Sequence, residues 1–393
     1  MSSTLPVGRL AVLAGATFVY VTFEVFPVGL IEDIAKSLTV PTSQVGLLIS
    51  SYAVVAALAT VPTVALASRF SRRTALVASL IVLVLAEILT AAATTFPMMV
   101  VSRLAAALTH GVVWSLIAPA AASLVPKDRV GTATAVVFGG SSLALVLGSP
   151  GTAFLGGLIG WRSTAVMLAV VTCAVSAAVL WALHDVDSAP KSERVVGTAG
   201  DPSVPPPPTD WRAVAALCGV SVLLVTGHFI SYTYISVILG EIVDSGVVVF
   251  LTLYGIAGAV GTVLIGRFND RHRRGSAMVT MAGFVVGLRI LSALITPAPA
   301  AVAVVGTTLA VTVWGMAFAA SGPVFQTAVM RAAPADADRV SSVYVTGMQV
   351  GIAGGSALGS AILGVSAGLL PVISAGLSLV VLVAVSCRFI VAR

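Results

Sequence analysis

The sequence predicts an all-α membrane protein with twelve transmembrane helices in two six-helix halves. Three observations carry this. Of 393 residues, 58% are hydrophobic and only 9% are charged, with a mean hydropathy of +1.08. A water-soluble domain carries about 25% charged residues, so this chain cannot cover a water-facing surface. Its apolar runs are about 20 residues long, enough to cross about 30 Å of hydrocarbon as helix, and they lack the strict alternation of barrel strands. Related segments then recur at an offset of about two hundred residues, the mark of an internal repeat.

The runs fall near residues 9–30, 44–67, 74–95, 98–124, 131–158, 163–183, 212–239, 246–267, 275–296, 299–325, 340–366 and 369–390. The first has no small-residue cleavage site and reads as a retained helix rather than a signal peptide. Residues 184–211 are polar and rich in proline, with PPPP at 205–208, and read as a flexible cytoplasmic linker. The expected division is therefore a half at 1–183, the linker at 184–211, and a half at 212–393.

Basic residues give the orientation. Arg9, Arg69, Arg72, Arg73, Arg129, Arg271, Arg273, Arg274 and Arg331 fall on one side, whereas the other side holds only Lys36 and Arg162. By the positive-inside rule the crowded side faces the cytoplasm, with both termini there. The net charge of +6 follows from this topology and from contact with anionic lipid, not from nucleic-acid binding. Arginine outnumbers lysine and alanine and valine abound, which fits a GC-rich bacterial genome and a bacterial inner membrane. Cys173, Cys218 and Cys387 lie in apolar runs without metal-like spacing and read as core residues.

The halves echo each other. SRFSRR at 68–73 joins the second and third helices, and NDRHRR at 269–274 joins the eighth and ninth. HGVVWSLIAP at 110–119 is matched by WGMAFAASGP at 314–323. Paired six-helix repeats around a midplane site are the architecture of alternating-access carriers.

Four stretches carry a resemblance: FEVFPVGLIEDIAKSLTVPTSQVGLLISSYA at 23–53, RLAAALTHGVVWSL at 103–116, LVLGSPGTAFLGGLIGWR at 145–162, and GHFISYTYISVIL at 227–239. Together they are similar to the major facilitator superfamily, in particular its twelve-helix drug:proton antiporters of the sugar-efflux and chloramphenicol-resistance branch. The resemblance implies the major facilitator fold. It also implies a cavity lined by the first, fourth, seventh and tenth helices, and an antiporter motif in the fifth. The chain departs from the family loop Gly-x-x-x-Asp-Arg-x-Gly-Arg-Arg: Ser68 stands at the Asp position and Ser71 at the second Gly position, while Asp270 keeps the acidic position in the second copy.

Only Glu24 and Glu87, among fifteen acidic residues, lie well inside predicted helices. A charge at the bilayer centre costs about 2.5–3.5 kcal/mol on insertion scales, so it faces a cavity or a partner. Thr17, Tyr20 and Glu24 share one helix face, with Pro27 a turn further on. Arg103 is the expected partner of Glu24, since both lie about six residues, roughly 9 Å, below the outer helix ends. On this reading Glu24 exchanges a proton for cargo, with Arg103 and His110 beside it; a structural ion pair is the alternative. His110 reads either as a relay, given an ordinary pKa near 6.5, or as a neutral interhelical hydrogen-bonding group. Glu87, with Thr90 and Thr94, reads as interfacial.

Substrate contacts are expected from Tyr20, Trp114, His228, Tyr232, Tyr234, Tyr254, Trp314, Phe325 and Gln349, an aromatic surface with few polar handles that suits flat lipophilic molecules. Each aromatic could equally be packing. Gly148, Pro150 and Gly151 suggest a bend and close helix contact in the fifth helix. Arg69, Arg72, Arg73, Asp128, Asp270 and Arg271 suggest a cytoplasmic gate beyond their role as topology anchors. The function expected is proton-coupled export of small lipophilic drugs by a monomer that uses the proton gradient and no cofactor. Sugar efflux is the alternative within the class. A membrane-embedded enzyme is the alternative outside it, disfavoured because the four histidines are scattered without metal spacing or a nucleotide loop. A channel is disfavoured for want of a ring of charges or a re-entrant filter.

Overall fold

The computed structural model describes residues 6–126, 130–184, 209–243, 245–269, 272–296, 298–333 and 337–386. Most of the predicted linker therefore lies outside the described residues. The helices, in chain order, are α1 (Val7–Val25), α2 (Ile31–Leu38), α3 (Thr42–Ala67), α4 (Arg72–Ala92), α5 (Phe96–Ala122), α6 (Val130–Leu143), α7 (Ser149–Ile159), α8 (Trp161–Ala182), α9 (Trp211–Tyr232), α10 (Ile235–Ile242), α11 (Val247–Phe268), α12 (Arg273–Leu294), α13 (Ala300–Ala332), α14 (Ala337–Leu363) and α15 (Leu369–Ser386). Among the described residues, eleven spans are long and apolar enough to cross a membrane. The helix α14, with 27 residues, reaches about 40 Å and supplies the remaining predicted span.

The chain forms two compact units. One comprises Met1–Ala189 with Tyr234–Val237; the other comprises Pro190–Thr233 and Ile238–Arg393. Within the first, α3 packs on α5, α4 on α5 and α8, and α1 on α6 and α8. Within the second, α11 packs on α13, α12 on α13 and α15, and α9 on α14 and α15. The same five pairings recur in the same order, so the sequence repeat is a repeat of packing. Outward-facing side chains such as Leu58, Val61, Val263 and Val279 are well exposed, a surface suited to lipid rather than water.

Two predicted helices differ from expectation. The first, read as continuous over 9–30, breaks after Val25 and resumes at Ile31. Pro27 has no N–H to give the carbonyl of Phe23. The backbone tightens instead into short turns, with Phe26 N–H on Phe23 O (3.2 Å), Val28 N–H on Val25 O (2.9 Å) and Leu30 N–H on Pro27 O (3.2 Å). The seventh, read as 212–239, ends at Tyr232 and resumes at Ile235. Tyr234–Val237, at that break, belong to the first unit: Ser236 Oγ donates to Val28 O (2.9 Å) and Tyr234 OH to Ser43 O (3.3 Å).

Glycines set how closely α1 approaches the fifth span. A Cβ at Gly140 would lie 2.0 Å from Ala14 O, one at Gly148 2.2 Å from Thr22 Oγ1, and one at Gly156 2.1 Å from Leu30 Cδ2. At this spacing they form one stripe facing α1 and its continuation. Between α6 and α7 the helix widens into a π turn at Ala144–Gly148, closed by Ser149 N–H on Ala144 O. Widening of this kind accommodates the proline at position 150, whose ring would crowd the carbonyl four residues back. Of the expected hinge residues, Gly148 is in close contact, whereas a Cβ at Gly151 would meet open space. In the second unit Gly351 and Gly355 play the packing part, with a Cβ 3.0 Å from Val222 O and 2.5 Å from Thr226 O on α9.

Adjacent glycines give a controlled test. Gly140→Ala is expected to lower stability, because overpacking against backbone costs about 1–3 kcal/mol. Gly139→Ala, with nothing within 4 Å, is expected to be neutral or slightly stabilising. Thermal unfolding in detergent compares them; equal midpoints would contradict the close approach of α1 and α6.

Candidate functional site

Where the first span breaks, a cation caps two of its carbonyls. Arg103 on α5 is 1% exposed. One terminal nitrogen of its guanidinium donates to Phe23 O and the other to Glu24 O, the latter at 2.5 Å. The group lies between two rings, 4.7 Å from the Phe23 centroid and 4.9 Å from that of Tyr52, so cation–π attraction adds to the hydrogen bonds in a dry setting. This corrects the expected carboxylate–guanidinium bridge. Arg103 meets residue 24 through its main chain: at the break Val28 N–H goes to Val25 O, Glu24 O accepts from the guanidinium, and Phe23 O accepts from both Phe26 N–H and Arg103.

The Glu24 carboxylate instead reaches His110. Its Oε2 lies 3.8 Å from His110 Nδ1, and Tyr52 OH lies 3.0 Å from the same nitrogen. With Nδ1 bare, Tyr52 donates to it; with both ring nitrogens protonated, the ring becomes a cation within ion-pair reach of Glu24. Tyr20, on the same face of α1, anchors α5 by donating to Ala106 O (2.6 Å) and sharing a bond with Thr109 Oγ1 (2.7 Å). Trp114 lies one turn beyond His110, 6.0 Å from it, and stacks on Phe138 at 5.5 Å. Its indole N–H is buried without a partner. The first unit thus gathers Tyr20, Glu24, Arg103, His110 and Trp114.

The second unit holds an aromatic cluster around His228. The imidazole stacks on Phe318 at 3.4 Å and on Tyr232 at 4.8 Å, with Phe284 edge-on at 5.8 Å. Tyr254 packs 5.4 Å from Tyr232 and 5.3 Å from Trp314. Trp314 Nε1 donates to His228 Nδ1 at 3.2 Å. Indole nitrogen is a donor only, so Nδ1 must accept, and the neutral ring carries its proton on Nε2. That Nε2 and the Tyr254 hydroxyl are both buried without a partner, two polar handles inside an apolar cage.

Other expected residues fall elsewhere. Tyr234 is buried with the first unit and lies outside the cluster. Phe325 is buried about three turns beyond Trp314 on α13, too far along the axis to join the same ring group. Gln349 is buried on α14, the helix packed along α9. Glu87 is buried between α4 and α8, where Thr172 Oγ1 donates to its Oε1 at 2.9 Å. Arg69 and Arg72 are exposed at the α3–α4 turn and Arg73 is half-buried. Asp128, Asp270 and Arg271 lie outside the described residues. Sequence reasoning passed over Tyr52, Thr109, Phe284 and Phe318. Phe318 stands four residues after Trp314, a same-face spacing that could have revealed it. Tyr52 and Phe284 come from other helices and leave no local signal.

Comparison with known proteins follows this geometry. A family model described as the Major Facilitator Superfamily matches residues 12–356. The chain is 39% identical over 375 residues to a chloramphenicol efflux pump of Mycobacterium tuberculosis (strain CDC 1551 / Oshkosh), covering 94% of this chain and 89% of that one. It is 28% identical over 358 residues to a probable sugar efflux transporter of Mannheimia succiniciproducens, covering 90% and 87%. Among solved structures, the nucleoside transporter NupG superposes with a TM-score of 0.74 at 14% identity, over 97% of this chain and 99% of that one. The POT family transporter PepTSo superposes with a TM-score of 0.77 at 9% identity, over 98% and 97%. At these identities the structural likeness establishes the fold alone.

The His228–Trp314 bond is testable by a double-mutant cycle. His228→Phe, Trp314→Phe and the double variant keep an aromatic ring at each position while removing acceptor, donor or both. Unfolding free energies are expected to show a coupling of about 1 kcal/mol. Additive effects would remove the hydrogen bond and the tautomer assignment with it.

Proposed function

Because the chain belongs to the Major Facilitator Superfamily of membrane transporters, we propose that it is a proton-driven exporter of small lipophilic compounds, phenicols first among them. The observation that carries the substrate class is the 39% identity, across 94% of the chain, with a chloramphenicol efflux pump. Proton coupling draws its support from Glu24, a carboxylate in a membrane span with His110 3.8 Å away.

In this mechanism Glu24 takes a proton from the outer side and releases it to the inner side, while cargo moves the other way. Each proton entering down 100 mV releases about 2.3 kcal/mol, enough to drive export against a moderate gradient. Arg103 holds the break that presents Glu24. His110 receives or returns the proton, with Tyr52 OH 3.0 Å from its Nδ1. Tyr20 and Trp114 in one unit, and His228, Tyr232, Tyr254 and Trp314 in the other, contribute flat apolar surface with isolated donors. No cofactor enters this scheme. On this reading the protein works as a monomer in the bacterial inner membrane, and the positive-inside rule supports both termini in the cytoplasm. Sugar efflux is the second reading, supported by the 28% identity with a probable sugar efflux transporter. Against it, the two clusters hold few of the amides and carboxylates that hydroxyl-rich cargo needs.

Proteoliposomes under an acid-outside gradient, given phenicols, dyes and sugars in turn, test both readings by proton flux on each addition. Flux with phenicols but not sugars is expected, and export that persists after the pH difference is collapsed would overturn the coupling. Two substitutions refine it. Glu24→Gln is expected to abolish proton-coupled export while leaving the fold intact; unchanged coupled export would remove Glu24 from the mechanism. Arg103→Lys keeps the charge but loses the fork that spans two carbonyls. It is expected to cut transport about tenfold, the size of one charge-assisted hydrogen bond. Full activity in the lysine variant would mean that charge alone suffices.

A further inference from the structure

A groove on the first unit has a different chemistry from either cluster. It has a volume of about 260 Å³ and is walled by α3, α4 and α5, with Leu66, Phe70, Ala78, Val82, Leu108 and Thr109 along it. From Thr74 at its mouth to Val82 it runs about 12 Å along α4. Leu66, Phe70 and Leu108 are 55%, 57% and 47% exposed, so it opens outward, toward the bilayer. Its hydroxyls are already engaged: Thr63 donates to Ala59 O (2.7 Å), Ser79 to Ala75 O (2.8 Å), and Thr109 is bonded to Tyr20 (2.7 Å). What remains for an occupant is hydrocarbon.

The mouth is the opposite. Phe70 and Thr74 stand among Arg69, Arg72 and Arg73. Arg69 and Arg72 are exposed, and Arg73 Nε has no partner. The position where the resembled family carries an acidic residue is Ser68, so this turn holds three cations and no carboxylate of its own. An apolar slot ending at a cationic rim matches one kind of molecule, an amphiphile with an acyl tail and an anionic head.

We propose that this groove is a binding site for an anionic phospholipid, with one acyl chain lying along α4 and the headgroup phosphate held by Arg69, Arg72 and Arg73. Basic pockets between membrane helices favour anionic headgroups, each cation near the surface contributing about a fivefold gain in affinity. The groove reaches Thr109, which anchors Tyr20, so the lipid also backs the helix that carries Arg103 and His110.

Native mass spectrometry of the full chain in detergent tests this, with phosphatidylglycerol and phosphatidylcholine of identical acyl chains as probes. Wild-type protein is expected to retain the glycerol lipid over the choline lipid. Arg69→Gln, Arg72→Gln and Arg73→Gln combined are expected to abolish that preference, at about fivefold for each cation removed. Since those arginines also act in membrane insertion, Ala78→Trp gives a second route. Ala78 is exposed within the groove, so the larger ring fills the slot while leaving the arginines in place, and lipid retention should fall. Equal retention of both lipids by wild type overturns the proposal. So does a preference that survives either the glutamine variant or Ala78→Trp in protein whose unfolding midpoint matches wild type.

Discussion

A guanidinium closing two main-chain carbonyls is the interaction on which the first unit depends. Pro27 cannot sustain the helix, and the peptide oxygens of Phe23 and Glu24 lose their usual donors. A buried carbonyl without a donor at that depth would cost several kcal/mol, and Phe23 O keeps only the Phe26 N–H of its tightened turn. Arg103 supplies both donors from α5 and finds its own compensation in the faces of Phe23 and Tyr52. The break, the cation and the aromatic pair are thus one arrangement. Removing any member leaves a buried polar group without its complement. The carboxylate of Glu24 lies 3.8 Å from His110.

The second constraint is steric. Gly140, Gly148 and Gly156 let α1 and its continuation lie against the fifth span at distances that no Cβ would permit. Gly351 and Gly355 do the same for α9 and α14. Both units therefore place the broken span against a glycine-bearing neighbour, and both carry the aromatic or ionisable groups near that break. Each repeat has kept the packing and diverged in chemistry. One gathers charge at Glu24, Arg103 and His110, while the other gathers rings around His228.

Much of this was legible in the sequence. Hydropathy and length are properties of local runs, so the apolar spans, eleven of them long enough to cross a membrane among the described residues, could be read directly. Intramembrane charges are rare enough that Glu24, Arg103 and His110 stood out. The geometry joining them did not. Sequence spacing set Glu24 and Arg103 at one depth, but the main chain acquires acceptors only where a helix opens, and the register of that opening is a backbone property. Tyr52 and Phe284 were invisible because they enter from helices distant in sequence. Tyr234 falls apart from Tyr232 because the seventh span breaks after Tyr232 and residues 234–237 join the first unit.

The clamp has a consequence for how this protein can change over time. A peptide oxygen is the same whatever side chain its residue bears. The bond to the oxygen of residue 24 therefore does not depend on that residue's side chain, whereas the ring at 23, the imino acid at 27 and the forked cation at 103 must change together or not at all. The scaffold at this spot is written in backbone and the chemistry in a side chain, so selection can retune one while leaving the other untouched.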